Sequence, residues 1–133
     1  MGLIAGIRLL ELNDERAVSH VPFKWWNKNP FNSMYFAVQS MAAELSTAAL
    51  AMLALRGVDY KAVLIIVDMK AEFVRKAKSK ITFSCLDYDA FKNGLDTLQN
   101  KDDAVSITAK TVGRDETGEE VAVFYFTWSF KRR

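Results

Sequence analysis

One cysteine and one histidine in 133 residues close off much of enzyme chemistry. Cys85 has no second cysteine to bond, so an internal disulfide is excluded and a reducing, cytoplasmic setting is the natural expectation. His20 and Cys85 alone supply no set of ligands at metal-binding spacing, so neither a metal nor a separate cofactor is expected. A Ser–His or Cys–His pair would have to use His20, and no nucleophile motif surrounds any serine or Cys85; His20 reads as a surface or edge-strand residue. Charge bias is also missing. Eighteen basic and sixteen acidic side chains leave a net +2, too little for a nucleic-acid binder. The first fifteen residues lack a basic segment followed by a cleavage site, and Gly2 has no Ser or Thr at the sixth position, so neither export nor myristoylation is expected. With two prolines, six glycines and no repeats or low-complexity linkers, residues 1–133 read as a single domain large enough for a core.

What is present is apolar bulk: half of the chain is hydrophobic. Asn29 to Gly57 reads as one long helix, about residues 33–56. Asn32 or Ser33 can cap its start, Arg56 suits the negative end of its dipole, and Gly57 can stop it in the left-handed conformation. Apolar residues point in nearly every direction around its axis, which describes either a core helix or a membrane span. Gln39, Ser40, Glu44, Ser46 and Thr47 crowd the middle, and an acid there is costly in lipid, so no membrane span is expected. Ser33, Ala37, Ser40, Glu44, Thr47 and Ala51 share one narrow sector at helical spacing. Glu44 sits at its midpoint, where burial would raise its pKa unless hydrogen bonds hold its charge. It reads either as a structural acid bonded to backbone or a neighbouring subunit, or as a poised catalytic carboxylate.

Around this helix the chain turns to strands. Residues 3–13 are a strand or a short helix, with Ile4, Ile7 and Leu10 at spacing three favouring helix; Ala17 to Phe23 is extended. Trp25 to Phe31 forms an aromatic loop, either a lid over the helix start or a pocket wall. Ala62 to Val67, AVLIIV, predicts a strand covered on both faces, running on in alternation to Phe73. Ile81, Phe83 and Cys85 alternate in the next strand, and a shorter helix near 88–99 follows, capped by Asp87 or Asp89. Ala104 to Arg114 and Glu119 to Phe130 make a hairpin about the turn at 115–118, giving an α+β domain of antiparallel sheet wrapped around a central helix.

At this point the chain resembles the hotdog fold, and within it the acyl-CoA thioesterases of the phenylacetyl-CoA type and their uncharacterised relatives. The resemblance covers most of the chain from Asn29 on. Many of those enzymes carry a Gly-Thr-x-His-Gly-Gly-like lead-in to the helix and an acid seven residues after the last Gly. Here Asn32-Ser33-Met34-Tyr35-Phe36-Ala37 stands in that place, and Glu44 falls seven residues after Ala37. Phe73-Val74-Arg75-Lys76-Ala77-Lys78 is similar to the family's Phe-x-Arg-Pro-Ala-x segment, with Lys76 where Pro is usual. The missing glycines bear on how closely a substrate approaches the backbone there.

The resemblance implies a thioester hydrolase whose substrate is an acyl-CoA, with coenzyme A present only as part of that substrate. Glu44 would activate water or attack the carbonyl, with Ser40 and Thr47, a turn to either side, orienting it or holding the water. Asn32, Ser33, Tyr35, Phe36 and Ala37, at the positive helix end, would receive the oxyanion and substrate. The two parts cannot meet on one helix, because eight or more residues at 1.5 Å rise hold them about 12 Å apart or more. Activity therefore implies a homodimer, or a homotetramer built from it. Arg75, Lys76 and Lys78 would hold the coenzyme A phosphates, and Lys131-Arg132-Arg133 is a second basic run. Two other readings stand beside this one: a non-catalytic hotdog module binding a fatty-acyl or other apolar ligand, and a structural homodimer in which Glu44 satisfies interface groups.

Overall fold

A computed structural model describes residues 6–24, 27, 34 and 36–133. The elements in chain order are β1 (Arg8–Leu12), β2 (Ala17–Val21), α1 (Phe36–Arg56), β3 (Ala62–Phe73), β4 (Ile81–Cys85), α2 (Tyr88–Leu95), β5 (Ala104–Arg114) and β6 (Glu120–Arg132). The strands form one antiparallel sheet in the order β1-β2-β4-β5-β6-β3, and α1 lies across one face of it.

Two features of α1 let it lie so close. Its buried side is rich in alanine (Ala42, Ala43, Ala49, Ala51, Ala54), so no bulky group holds the helix backbone away from the strands. Its buried hydroxyls then reach partners directly. Ser19 Oγ of β2 donates to the Ala42 carbonyl at 2.6 Å. Ser46 Oγ donates to the Ala43 carbonyl at 2.6 Å, so its 2.7 Å contact with Thr111 Oγ1 has the threonine as donor. Trp128 Nε1 donates to Thr47 Oγ1 at 3.1 Å. Each such bond contributes about 1 kcal/mol net. Burial of Phe83, Phe91, Phe124, Phe126 and Phe130, at about 1.5–3 kcal/mol each, outweighs them together. The aromatic core holds the layers together, and the hydroxyls fix where the helix sits.

Several sequence expectations meet the structure directly. The long helix, the shorter one, and the hairpin of β5 and β6 are all present. Residues 8–12 are a strand rather than a helix; the spacing of three came from a short apolar run that cannot separate the two, and Leu9, Leu10 and Leu12 lie exposed on it. Gly57 closes α1 without the left-handed conformation: its N–H donates to the Ala54 carbonyl at 3.1 Å, and among described glycines only Gly6 and Gly118 have positive φ. Asp87 stands at the start of α2 but makes no side-chain cap; its Oδ2 accepts from the Lys110 N–H at 2.7 Å instead, tying α2 to β5. The largest departure is β3. It is not covered on both faces but is the sheet's edge, paired only with β6, and most of its residues are exposed. After Phe73 the chain goes on to β4, two strands away from β6 in the sheet, so among the described residues no strand pairs with the outer side of β3.

Candidate functional site

The first turn of α1, the end of β3 and the residues just after it meet at one place. Met34 N–H donates to the Ala77 carbonyl at 2.7 Å, which ties the approach to α1 to the 75–78 segment. The Val74 and Arg75 N–H groups both donate to the Val121 carbonyl, holding that segment to β6. Between them opens a cleft of about 250 Å³ lined by Met34, Phe36, Gln39, Phe73, Arg75, Lys76 and Ala77. Its walls are apolar and its rim carries two cations. Arg75 also pairs with the Glu119 carboxylate, with both side chains about half exposed, so that pair adds little stability. Lys78 is exposed beyond the cleft.

Of the residues assigned to the oxyanion side, Phe36 and Ala37 open the helix and are exposed, and Phe36 lines the cleft. Asn32, Ser33 and Tyr35 lie outside the described residues, as does most of the aromatic loop. Glu44 is exposed, not buried as its apolar neighbours in sequence suggest. The reason is geometric: the alanine side of α1 faces the sheet and turns Glu44 away from it. Ala37, Met41, Glu44, Ala48 and Met52 form an outward stripe, with Met52 59% exposed and Met41 and Ala48 half-buried, so the acid stands exposed in an otherwise apolar strip. Ser40, half-buried, donates back to the Phe36 carbonyl at 2.9 Å. Thr47 is fully buried against the sheet; it donates to the Glu44 carbonyl at 3.0 Å and accepts from Trp128, so its hydroxyl faces the core rather than the Glu44 carboxylate. By length and composition α1 could cross a bilayer, yet more than half of its apolar window is buried in the domain.

Burial pushes the Cys85 thiol up to about 12, which leaves it protonated and unreactive. His20 pairs with Thr82 across β2 and β4, three rungs from the Ala17–Cys85 pair and on the opposite face of the strand, so the two make no catalytic couple. Among the described residues no group of acids, histidine and cysteine could hold a metal ion. Gln39 is the cleft residue that the sequence reading left unassigned. Its signal was present: it shares the inward face of α1 with Ala42, Ala43, Ser46 and Leu50, where a carboxamide is out of place.

A curled six-stranded antiparallel sheet with one long helix laid across it, and a cleft at the helix start, defines a hotdog-fold protein. The chain matches the family described as a domain of unknown function (DUF4442) over residues 4–130, and it belongs to that family. Among solved structures it is similar to a protein of unknown function from Pseudomonas aeruginosa named a "Probable Thioesterase", with TM-score 0.83 and 21% identity over 98% of this chain and 86% of that one. A protein of unknown function from Chlorobaculum tepidum superposes with TM-score 0.84 at 10% identity, over 99% and 86% of the two chains. A thioesterase from Haemophilus influenzae does so with TM-score 0.71 at 15% identity, over 97% and 80%. Likeness at these identities establishes the fold. No curated protein matches the chain.

Proposed function

We propose that this protein is an acyl-CoA thioesterase that hydrolyses an acyl or aryl thioester at a site shared between two subunits. The observation that carries the proposal is the position of Glu44, a lone exposed acid in an otherwise apolar strip, two turns along the helix from an apolar cleft with a cationic rim. Solved relatives of the same fold that are named thioesterases support the reaction class. Phe36 and Glu44 are eight positions apart on one helix, about 12 Å, so the cleft and the acid serve one carbonyl only if they come from different copies. The uncovered β3 edge, with Ile66, Met69 and Phe73 exposed on the helix side of the sheet, supports a homodimer formed along that edge, alone or within a tetramer.

In this arrangement the helix N-terminus of one subunit presents backbone N–H groups and its dipole to the thioester oxygen. Glu44 of the other takes a proton from water, the resulting hydroxide adds to the carbonyl carbon, and collapse of the oxyanion expels the thiolate, which takes up a proton. In the alternative, Glu44 itself attacks, releasing the thiol and leaving a mixed anhydride that water then opens. Arg75 and Lys76 on the rim, with Lys78 beyond, meet the phosphates of coenzyme A. The test is release of free thiol from short-chain, long-chain and aryl acyl-CoA thioesters. Turnover of at least one is expected, and inertness toward all of them refutes the proposal. One observation favours a second reading, a module that binds an apolar ligand without turnover: a groove of about 330 Å³ between β1 and α1, walled by Leu9, Leu12, Leu45 and Met52. Tight binding of a free fatty acid by a protein inert toward every thioester would favour it.

A further inference from the structure

Gln39 is only 4% exposed, and half of its carboxamide is unused. Its Nε2 donates to the Met34 carbonyl at 3.4 Å. That contact sets the orientation of the amide, because the opposite orientation would press oxygen against oxygen. Oε1 is left buried without a hydrogen-bond partner, in a side chain that lines the cleft. Leucine or methionine would fill the same space without stranding an acceptor, so an oxygen with no donor among the described residues points to one supplied by a bound ligand.

The surroundings narrow what that donor is. Met34, Phe36 and Phe73 make apolar walls, which suit an uncharged chain rather than a sugar or a peptide backbone. Arg75 and Lys76 on the rim disfavour a cationic donor and favour an anion further along the same ligand. A neutral N–H on a slim chain that ends in phosphate satisfies all three conditions. We propose that Gln39 is a substrate-positioning residue whose Oε1 accepts the N–H of the pantetheine amide nearest the sulfur, fixing how far the thioester reaches into the site. The choice of pantetheine rests on the thioesterase reading above; the unpaired oxygen and the cleft do not.

The test separates the two. S-hexyl-coenzyme A, a thioether that cannot be hydrolysed, is titrated calorimetrically into the wild-type protein beside an analogue with ester oxygen in place of that amide N–H. The wild type is expected to bind the amide about tenfold more tightly, the size of one neutral hydrogen bond. Gln39→Leu and Gln39→Met are expected to bind both ligands alike. Equal wild-type affinity for amide and ester, failure of the thioether to bind, or an amide preference surviving in the variants would each overturn the assignment. The wild-type comparison stands even where a variant fails to fold. An amide preference in a protein that hydrolyses no thioester would uphold Gln39 and reject the hydrolase.

Discussion

Replacing Met69 by Asp should break the proposed homodimer. Met69 lies midway along β3, opposite Phe126, on the same side of the sheet as α1, and is 48% exposed in the single chain. Full burial of a methionine side chain is worth about 1.5–3 kcal/mol, so covering its exposed half contributes roughly 0.7–1.5 kcal/mol. A two-fold axis applies that gain twice, about 1.5–3 kcal/mol per dimer, before the cost of burying two carboxylates is added. The dissociation constant should therefore rise by at least about 10- to 150-fold. Sedimentation velocity over a concentration series reads this directly, with Leu86→Asp as a control at an exposed position away from that edge. The proposed thioesterase activity should fall with the dimer fraction, because the proposed site takes its cleft and its acid from different copies. A wild type that is monomeric throughout, or a Met69→Asp protein that dimerises as the wild type does, would refute the reasoning.

Two further outcomes follow from the core and from the outer face of the sheet. A Cβ on Gly113 would lie 2.5 Å from Cε1 of Phe83, itself fully buried and unable to swing aside, so Gly113→Ala should lower the denaturation free energy by about 1–3 kcal/mol in urea titration without changing the fold. An unchanged midpoint would mean that the β4–β5 packing yields more easily than described. Burial, with Lys80 and then Arg8 nearby, lowers the pKa of His20 below 6.5, and its buried Nδ1 has no hydrogen-bond partner. Below pH 6.5 the unfolded chain binds a proton there that the folded chain resists, so stability is full above that pH and falls as pH drops toward the folded pKa. His20→Leu should lose that part of the acid-side slope in thermal melts; an identical slope in both proteins would contradict it.

Much of the fold was legible because its signals are local. Arg56 and Gly57 mark the end of the helix, Ile81, Phe83 and Cys85 alternate as a half-buried strand must, and the turn at 115–118 announces its hairpin. What escaped depends on how the elements are placed together rather than on the segment. AVLIIV reads as a strand buried on both faces, yet an exposed edge and a core strand can carry the same apolar run, and only sheet order tells them apart. Glu44 misled for the same reason. A helix apolar all round does not say which side meets the sheet, and here the alanine side does, leaving Glu44 exposed. Gln39 was visible as a polar residue in the helix, but its partial satisfaction could be read only once Met34 was placed beside it.

The proposed chemistry rests on Glu44, and the sharpest check of it is hydrolysis by wild type beside Glu44→Gln. On whichever acyl-CoA the wild type turns over best, the variant should keep the wild-type fold and oligomeric state while kcat/KM falls by about 10²- to 10⁴-fold, the usual worth of a positioned acid–base group. Equal activity in the two proteins would remove Glu44 from the mechanism.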